Sequence, residues 1–423
     1  MSGPPGLAPR LAAARYLHRV LDRGAPLDET PRDDLGPGEA ARALRLARET
    51  LRHLPRLDHV LGAMLRKTPP PPVHHALRLA AYEILIERGA AYAAVDAAVN
   101  AVARDRRHKH LRGLVNAVGR RLGREGEALL TDAPAPALPD WLHAPVAAAF
   151  GAEAATAIAA AHARTPPVDL TLRDPGAGAD LGGTMLPTGS VRLSGAPQIS
   201  ALPGYDTGAW WVQDAAAAIP VRCLGALEGQ SVVDLCAAPG GKTLQLAAAG
   251  ARVTAVDNSD RRLARLHENL ARTGLAAEVV TADALDWAPA AAPDIVVVDA
   301  PCSATGTLRR HPDLPHVRPD PDLTPLTELQ ARLIDRALGW LGPGGRLLYG
   351  TCSLLPAEGE DQAAAALARH AGLRVDLTPP PGVPDTWRSA EGGLRLRPDY
   401  WPERGGMDGF FVTVLRKPGG SGP

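Results

Sequence analysis

The run Asp234-Leu-Cys-Ala-Ala-Pro-Gly-Gly-Lys-Thr243 is a glycine-rich turn between a strand and a helix. The apolar stretch Ser231–Cys236 reads as the strand, and Lys242–Ala249 as the helix. Working outward, Arg252–Asp257, Ala277–Asp283, Asp294–Asp299, Arg346–Tyr349, Leu373–Leu377 and Phe410–Leu415 are further short apolar runs. Helical stretches separate most of them: Asp260–Arg272, Asp322–Leu341 and Glu358–His370. Buried strands alternating with helices define an α/β, doubly wound and mostly parallel sheet. The last two strands lack a long helix between them, which points to a hairpin at the sheet edge.

The turn lacks the GxGxxG fingerprint, and its adjacent Gly240 and Gly241 lack the four-residue gap of a Walker A motif. An adenosine with a small charged appendage suits it better than a triphosphate. Asp257 ends the next strand, at the spacing where a carboxylate receives ribose hydroxyls. Asp283 and Asp299 end the two strands that follow. Each alone reads equally well as a helix N-cap. As a row at the carboxyl ends of successive strands, they line one ligand crevice.

Two cysteines sit just past strands: Cys302 in Asp299-Ala-Pro-Cys-Ser-Ala-Thr-Gly306 and Cys352 in Gly350-Thr-Cys-Ser353. Two thiols beside a cofactor turn point to covalent chemistry. A thiolate adds to electron-poor carbon. At carbon 6 of cytosine, such an addition would make carbon 5 an enamine-like nucleophile towards a sulfonium methyl. A carboxylate near N3 would stabilise the protonated ring. Methyl transfer needs one thiol, so the second suggests a role in release. Cys223, in an Ala-rich helical stretch, and Cys236, at a strand end, read as packing or cofactor-wall residues.

The chain has 423 residues, 45% hydrophobic and 22% charged, enough for two or three globular domains. Its formal net charge is zero, so no global field announces a polyanion partner. Locally, Arg104–Arg124 holds eight basic residues against one acid, Asp105. Arg104, Arg106, Arg107 and Lys109 lead that cluster as candidate phosphate contacts, against the plainer reading of a solvated helix face. Four cysteines without CxxC spacing argue against zinc and against a disulfide framework, and no metal is expected. No secretory pattern or long apolar span is visible, so a cytoplasmic monomer with no membrane partner is expected.

Residues 8–122 read as a small helical domain, interrupted near Pro55 and at Pro69–Pro72. Residues 123–139 read as a proline-stiffened linker, 140–214 as a small α+β segment, and 215–418 as the α/β domain.

These residues resemble a known family. Asp234–Thr243, Asp299–Gly306 and Gly350–Ser353 are similar to motifs I, IV and VI of the RNA (cytosine-C5) methyltransferases. Trp211-Val-Gln-Asp-Ala215 and Met407-Asp-Gly-Phe-Phe411 match its flanking signatures. Leu77–Leu85, Ala93–Val99 and Leu114–Arg120 resemble the RNA-binding NusB fold. The combination resembles the Fmu/Sun-type bacterial enzymes that methylate a cytosine of 16S rRNA.

That resemblance implies a Rossmann-like class I methyltransferase domain, preceded by an all-α NusB-like domain, and S-adenosylmethionine as donor. Cys236, Ala237, Ala238, Pro239, Gly240, Gly241 and Lys242 would wrap its amino-acid end. Asp257 would hold the ribose, Asp283 would lie by the adenine, and Asp299 would stand between cofactor and cytosine. Cys352 would be the nucleophile and Cys302 would assist product release. The chain departs from the family in reading Pro356-Ala-Glu358 where paired acids are common, and Gly350 where a polar residue is usual. Two competing readings are a tRNA cytosine-C5 methyltransferase and a non-catalytic NusB-like RNA-binding factor. The intact cysteines and cofactor turn argue against the second.

Overall fold

The computed structural model describes residues 6–27, 35–174, 176–195 and 197–419. They form two compact units. One runs up to Thr165 and also takes in Leu308–Asp320; the other comprises Pro166–Thr307 and the chain from Pro321 onward.

The first unit holds α1 (Leu7–Arg23), α2 (Pro37–Arg52), α3 (Leu54–Met64), α4 (Pro71–Leu85), α5 (Ala91–Arg104), α6 (Arg112–Thr131), α7 (Asp140–Phe150) and α8 (Ala152–His162). The expected break at Pro69–Pro72 is where α4 starts. Proline is tolerated there because the first N–H groups of a helix lack intrahelical acceptors. Leu77, Leu79, Ala80, Ala81, Tyr82 and Leu85 are all buried, so α4 is apolar nearly all round. Such a helix belongs in a core, and α1, α2, α3, α5 and α6 pack around it. Its one buried acid, Glu83, receives both Arg10 Nε and Nη2 at 2.7 Å.

The linker expected from residue 123 begins later. Helix α6 continues to Thr131 because Leu122, Gly126 and Leu130 recur at four-residue spacing on one buried face. Gly126 passes so close to α4 that a Cβ would lie 2.8 Å from Leu85 Cδ2.

The second unit opens with β1 (Val168–Leu172), β2 (Thr184–Met185), β3 (Val191–Leu193) and β4 (Trp210–Val212). These form an antiparallel sheet in the order β2-β3-β1-β4. The α+β segment expected over 140–214 therefore divides: its helices α7 and α8 group with the first unit, its strands with the second.

After α9 (Ala215–Arg222) come β5 (Ser231–Leu235), α10 (Gly241–Ala248), β6 (Arg252–Asp257), α11 (Asp260–Thr273), β7 (Glu278–Thr281) and β8 (Ile295–Asp299). Beyond lie α12 (Leu314–Val317), which groups with the first unit, then α13 (Thr324–Trp340), β9 (Arg346–Thr351), α14 (Glu360–Arg369), β10 (Arg374–Val375), β11 (Leu394–Leu396) and β12 (Phe410–Arg416). The large sheet has the order β10-β12-β9-β8-β5-β6-β7, with β11 also paired to β12. β9, β8, β5, β6 and β7 run parallel, as the alternation required. The expected edge pairing of β10 with β12 is antiparallel, and β12 inserts between β10 and β9. Strand alternation splits the core: Val232, Ile295 and Val297 face one layer, Val233, Leu235, Val296 and Val298 the other.

The chain leaves β5 for β6 on one side and later reaches β8 on its other side. This reversal makes a crevice at the carboxyl ends of β5 and β8, the place where open α/β sheets bind ligands. Among the described residues, no helix is long and apolar enough to cross a membrane.

Leu308–Asp320 directly follows the Cys302 loop in sequence yet groups with the helical unit. Asp313 Oδ2 accepts the Leu27 amide at 2.9 Å, and Val317 packs on the helical core. The sequence pattern did not reveal this excursion.

The candidate active site

The glycine turn departs from β5 through Cys236 at φ 58 and Gly240 at φ 106, both left-handed. A Cβ on Gly240 would lie 2.4 Å from Leu266 Cδ1, so only glycine fits. Burial, with the charges of Asp299, Asp257 and Asp234, pushes the Cys236 thiol up to about 12. Such a thiol is a wall, not a nucleophile. Cys223 is also pushed up to about 12 by burial and packs within its core.

Asp257 is buried at the end of β6 and already accepts three hydrogen bonds. Ala238 N reaches Oδ2 at 3.2 Å, while Ser259 N and Arg262 Nη2 reach Oδ1 at 3.0 and 2.8 Å. The Arg262 side chain is half exposed. Asp283 is exposed and lies beyond the end of β7, not within it. Its Oδ1 accepts Leu285 N at 2.9 Å, so it caps a turn at the crevice edge.

Asp234 was not singled out by sequence reading, although it opens the quoted turn. It is fully buried; Oδ2 accepts Thr243 Oγ1 at 2.6 Å, and Oδ1 has no partner among the described residues. Burial pushes this carboxyl up to about 7, against the opposing effects of Thr243 and Lys242. Buried acceptors are nearly always paired in folded proteins, which makes Asp234 Oδ1 an exception beside the glycine turn.

Lys242 Nζ donates to Asp299 Oδ2 at 2.6 Å and lies 4.8 Å from the centre of the Phe410 ring. Asp299, at the end of β8, keeps a third of its side chain exposed.

The two cysteines meet. Cys302 Sγ is 3.4 Å from Cys352 Sγ. Main-chain bonds stitch their loops together: Ala300 N to Gly350 O at 2.9 Å, Gly306 N to Cys352 O at 2.9 Å, and Gly409 N to Gly306 O at 2.8 Å. Gly350, a departure from the family pattern, is explained by packing, since its Cβ would meet Phe410 Cε1 at 2.8 Å. The Cys302 thiol is held well above its ordinary value, first by its hydrogen bond with Cys352, then by burial and by the charges of Cys352 and Glu358.

The two flanking signatures also touch. Asp214 Oδ1 accepts Ala216 N at the start of α9 and Asp408 N at 2.9 and 3.0 Å.

In the helical unit, Arg104, Arg106, Arg107 and Lys109 are exposed and have no ion-pair partner among the described residues. The neighbouring Asp105 is taken by His108 and by Arg107 N, at 2.7 and 2.9 Å. Arg121 is different, paired with Glu125 at 2.8 Å. His18, Asp22 and His75 bring ligand-type atoms within 4.8 Å of one another. However, Arg78 can only donate to His75 Nδ1, at 3.2 Å, so Nε2 carries the hydrogen that Asp22 accepts at 2.7 Å. The three side chains form a hydrogen-bonded chain.

The strand order, the glycine turn at the first parallel strand and the paired thiols together fit the cytosine-C5 methyltransferase class that the sequence motifs resemble. Comparison with known proteins agrees. The description "16S rRNA methyltransferase RsmB/F" matches residues 221–416, and the NusB family matches residues 7–124. "Ribosomal RNA small subunit methyltransferase B" of Sodalis glossinidius is 36% identical over 436 residues, covering 96% of this chain and 97% of that one. The protein of the same name from Pseudomonas putida is 36% identical over 442 residues, covering 97% and 98%. The crystal structure of PH0851 has the same fold over 99% of this chain and 100% of that chain, with TM-score 0.74 at 22% identity. The chain belongs to the RsmB/F family of 16S rRNA methyltransferases.

Proposed function

We propose that this enzyme methylates carbon 5 of a 16S rRNA cytosine through a bond between Cys352 and the base, with Cys302 assisting release. The observation that carries the reading is the thiol pair at 3.4 Å, in which the Cys302 thiol is held well above its ordinary value and so keeps its proton. When bound, S-adenosylmethionine supplies an electrophilic sulfonium methyl. The residues present fit it: Cys236–Lys242 would cradle its amino-acid end, with Asp234 Oδ1 unpartnered beside the turn, and Asp257 would receive the ribose hydroxyls. Asp283 would lie by the adenine.

The Cys352 thiolate adds to carbon 6, forming a carbon–sulfur bond and pushing electrons towards carbon 5. As the thiolate adds, N3 takes up a proton from solvent, and Asp299, anchored by Lys242, accepts a hydrogen bond from that N3–H and so favours addition. Once carbon 5 is methylated, it loses its proton to a base. The carbon–sulfur bond then breaks, and its electron pair returns to Cys352. The Cys302 S–H donates to that leaving thiolate, stabilising it as it departs. Both thiols and the cofactor turn come from one chain, so a monomer suffices. Reduced thiols suit the cytoplasm, where the RNA resides. Arg104, Arg106, Arg107 and Lys109 contact phosphates.

Labelled methyl transfer to deproteinised 16S rRNA and to tRNA, followed by mapping, tests this. The expected outcome is 5-methylcytosine in 16S rRNA. Label in tRNA alone, or on another base, would overturn it.

A further inference from the structure

We infer that Glu358 is the positioning residue of the two-cysteine site, its buried carboxylate fixing the Cys302 loop against the Cys352 loop. The inference rests on the release role proposed for Cys302. Glu358 lies in the turn Pro356–Glu358 that follows β9, away from the strand ends where the sequence pattern drew attention. It is fully buried, and no cation pairs with it among the described residues. A lone buried carboxylate is costly unless donors surround it, and three do.

Glu358 Oε1 accepts Ser303 N at 2.9 Å and Gln330 Nε2 at 3.1 Å, while Oε2 accepts Ser303 Oγ at 2.5 Å. Gln330 Nε2 also donates to Pro301 O at 2.9 Å. The residues on either side of Cys302 are thus tied to one carboxylate. The same turn grips the other loop, because Glu358 O accepts Tyr349 Oη at 2.7 Å and Thr351 Oγ1 at 3.2 Å. Ser303 Oγ and Ser353 Oγ, each next to a cysteine, are 3.2 Å apart. Cys302 therefore sits between two anchors, and Cys352 between Thr351 and Ser353 of the same network.

This bracing has work to do. Ala304, two residues past Cys302, holds a left-handed φ of 58, a conformation that persists only when its surroundings impose it. Removing the carboxylate orphans Ser303 N and frees the loop. An S–H donor displaced by about 1 Å no longer meets the leaving thiolate, and misplacements of that size cost on the order of 100-fold. The charge of Glu358 also helps keep Cys302 protonated, as a donor must be. Glu358 touches no reacting atom, so its effect passes through Cys302.

The test compares Glu358→Ala, Glu358→Gln, Ser303→Ala and Cys302→Ala on a 16S rRNA substrate. It reads kcat, S-adenosylmethionine affinity by calorimetry, and covalent protein–RNA adduct on denaturing gels. Glu358→Ala is expected to lose about 100-fold in kcat, to accumulate adduct, and to bind cofactor within about twofold of wild type. Glu358→Gln keeps one acceptor oxygen for Ser303 N and Gln330, and is expected to recover to within about tenfold. If Glu358→Ala does not fold, Glu358→Gln and Ser303→Ala still carry the test, each expected to be slower with adduct visible. Wild-type kcat in all three, or parallel loss of turnover and cofactor affinity, overturns the assignment. Cys302→Ala separates the layers: adduct there but none in the Glu358 variants removes Glu358 alone, whereas no adduct there removes the release role beneath it.

Discussion

The cysteine cleft and the basic turn after α5 are built on opposite principles. Around Cys302 and Cys352, buried polar groups are held by several partners at once, and Glu358 alone serves three donors. Around Arg104–Lys109, the cations stand exposed with no carboxylate opposite them among the described residues. The reason is chemical. Forming and breaking a carbon–sulfur bond needs atoms fixed to tenths of an ångström, which demands a pre-satisfied network. Attraction to a phosphate backbone needs charge that is uncommitted and adaptable. A substitution in the cleft should therefore act on turnover, and one in the basic turn on affinity.

The largest effect expected on turnover is at Cys352. Cys352→Ala should abolish methyl transfer while cofactor affinity stays within about twofold, because Cys352 is not among the residues proposed to hold the cofactor. Cys302→Ala should instead trap the protein–RNA adduct, since the leaving thiolate loses its S–H partner. Denaturing gels with labelled RNA distinguish the two, and an adduct that forms in the Cys352 variant would reverse the roles.

A smaller effect is expected at the cofactor edge. Asp257→Ala removes a buried acceptor, and hydrogen bonds to charged groups contribute about 1.5–3 kcal/mol, or roughly 10- to 150-fold in affinity. The carboxylate also organises the turn through Ala238 N and Ser259 N, which pushes the expected loss towards the upper end. Calorimetry showing unchanged affinity for S-adenosylmethionine would take Asp257 out of the site.

The part of this architecture readable in sequence was the part set by local pattern. Strand β6 occupies Arg252–Asp257 as its apolar run indicated, and the paired thiols follow from two strands that turned out to be neighbours. What failed to show depended on long-range partners. Glu358 meets Ser303 across 55 positions, and Asp313 meets Leu27 across 286, separations that no periodicity reports. The Gly123–Pro139 stretch looked like linker because its glycines and charges mask the Leu122, Gly126 and Leu130 face that buries α6. Asp283 looked like a strand end because Val279-Val280 and Ala282 are apolar, yet pairing with β6 stops at Thr281.

The smallest effect on turnover is expected in the basic turn. Replacing Arg106, Arg107 and Lys109 together with Glu should leave kcat at saturating RNA within about twofold, since none belongs to the cleft network. RNA affinity should fall, and its salt dependence should flatten. On single-stranded RNA each neutralised phosphate contributes about −0.7 to the slope of log K against log salt, so losing three contacts should make the slope shallower by roughly 2. Cofactor affinity should not move. A titration series over salt concentration reads all of this at once. An unchanged slope would mean that these cations are only a solvated surface, and the division of labour between rigid cleft and adaptable charge would then have to be sought elsewhere on the helical unit. A fall in kcat at saturation would break the comparison from the other side, by showing that the basic turn contributes to the chemical step as well as to affinity.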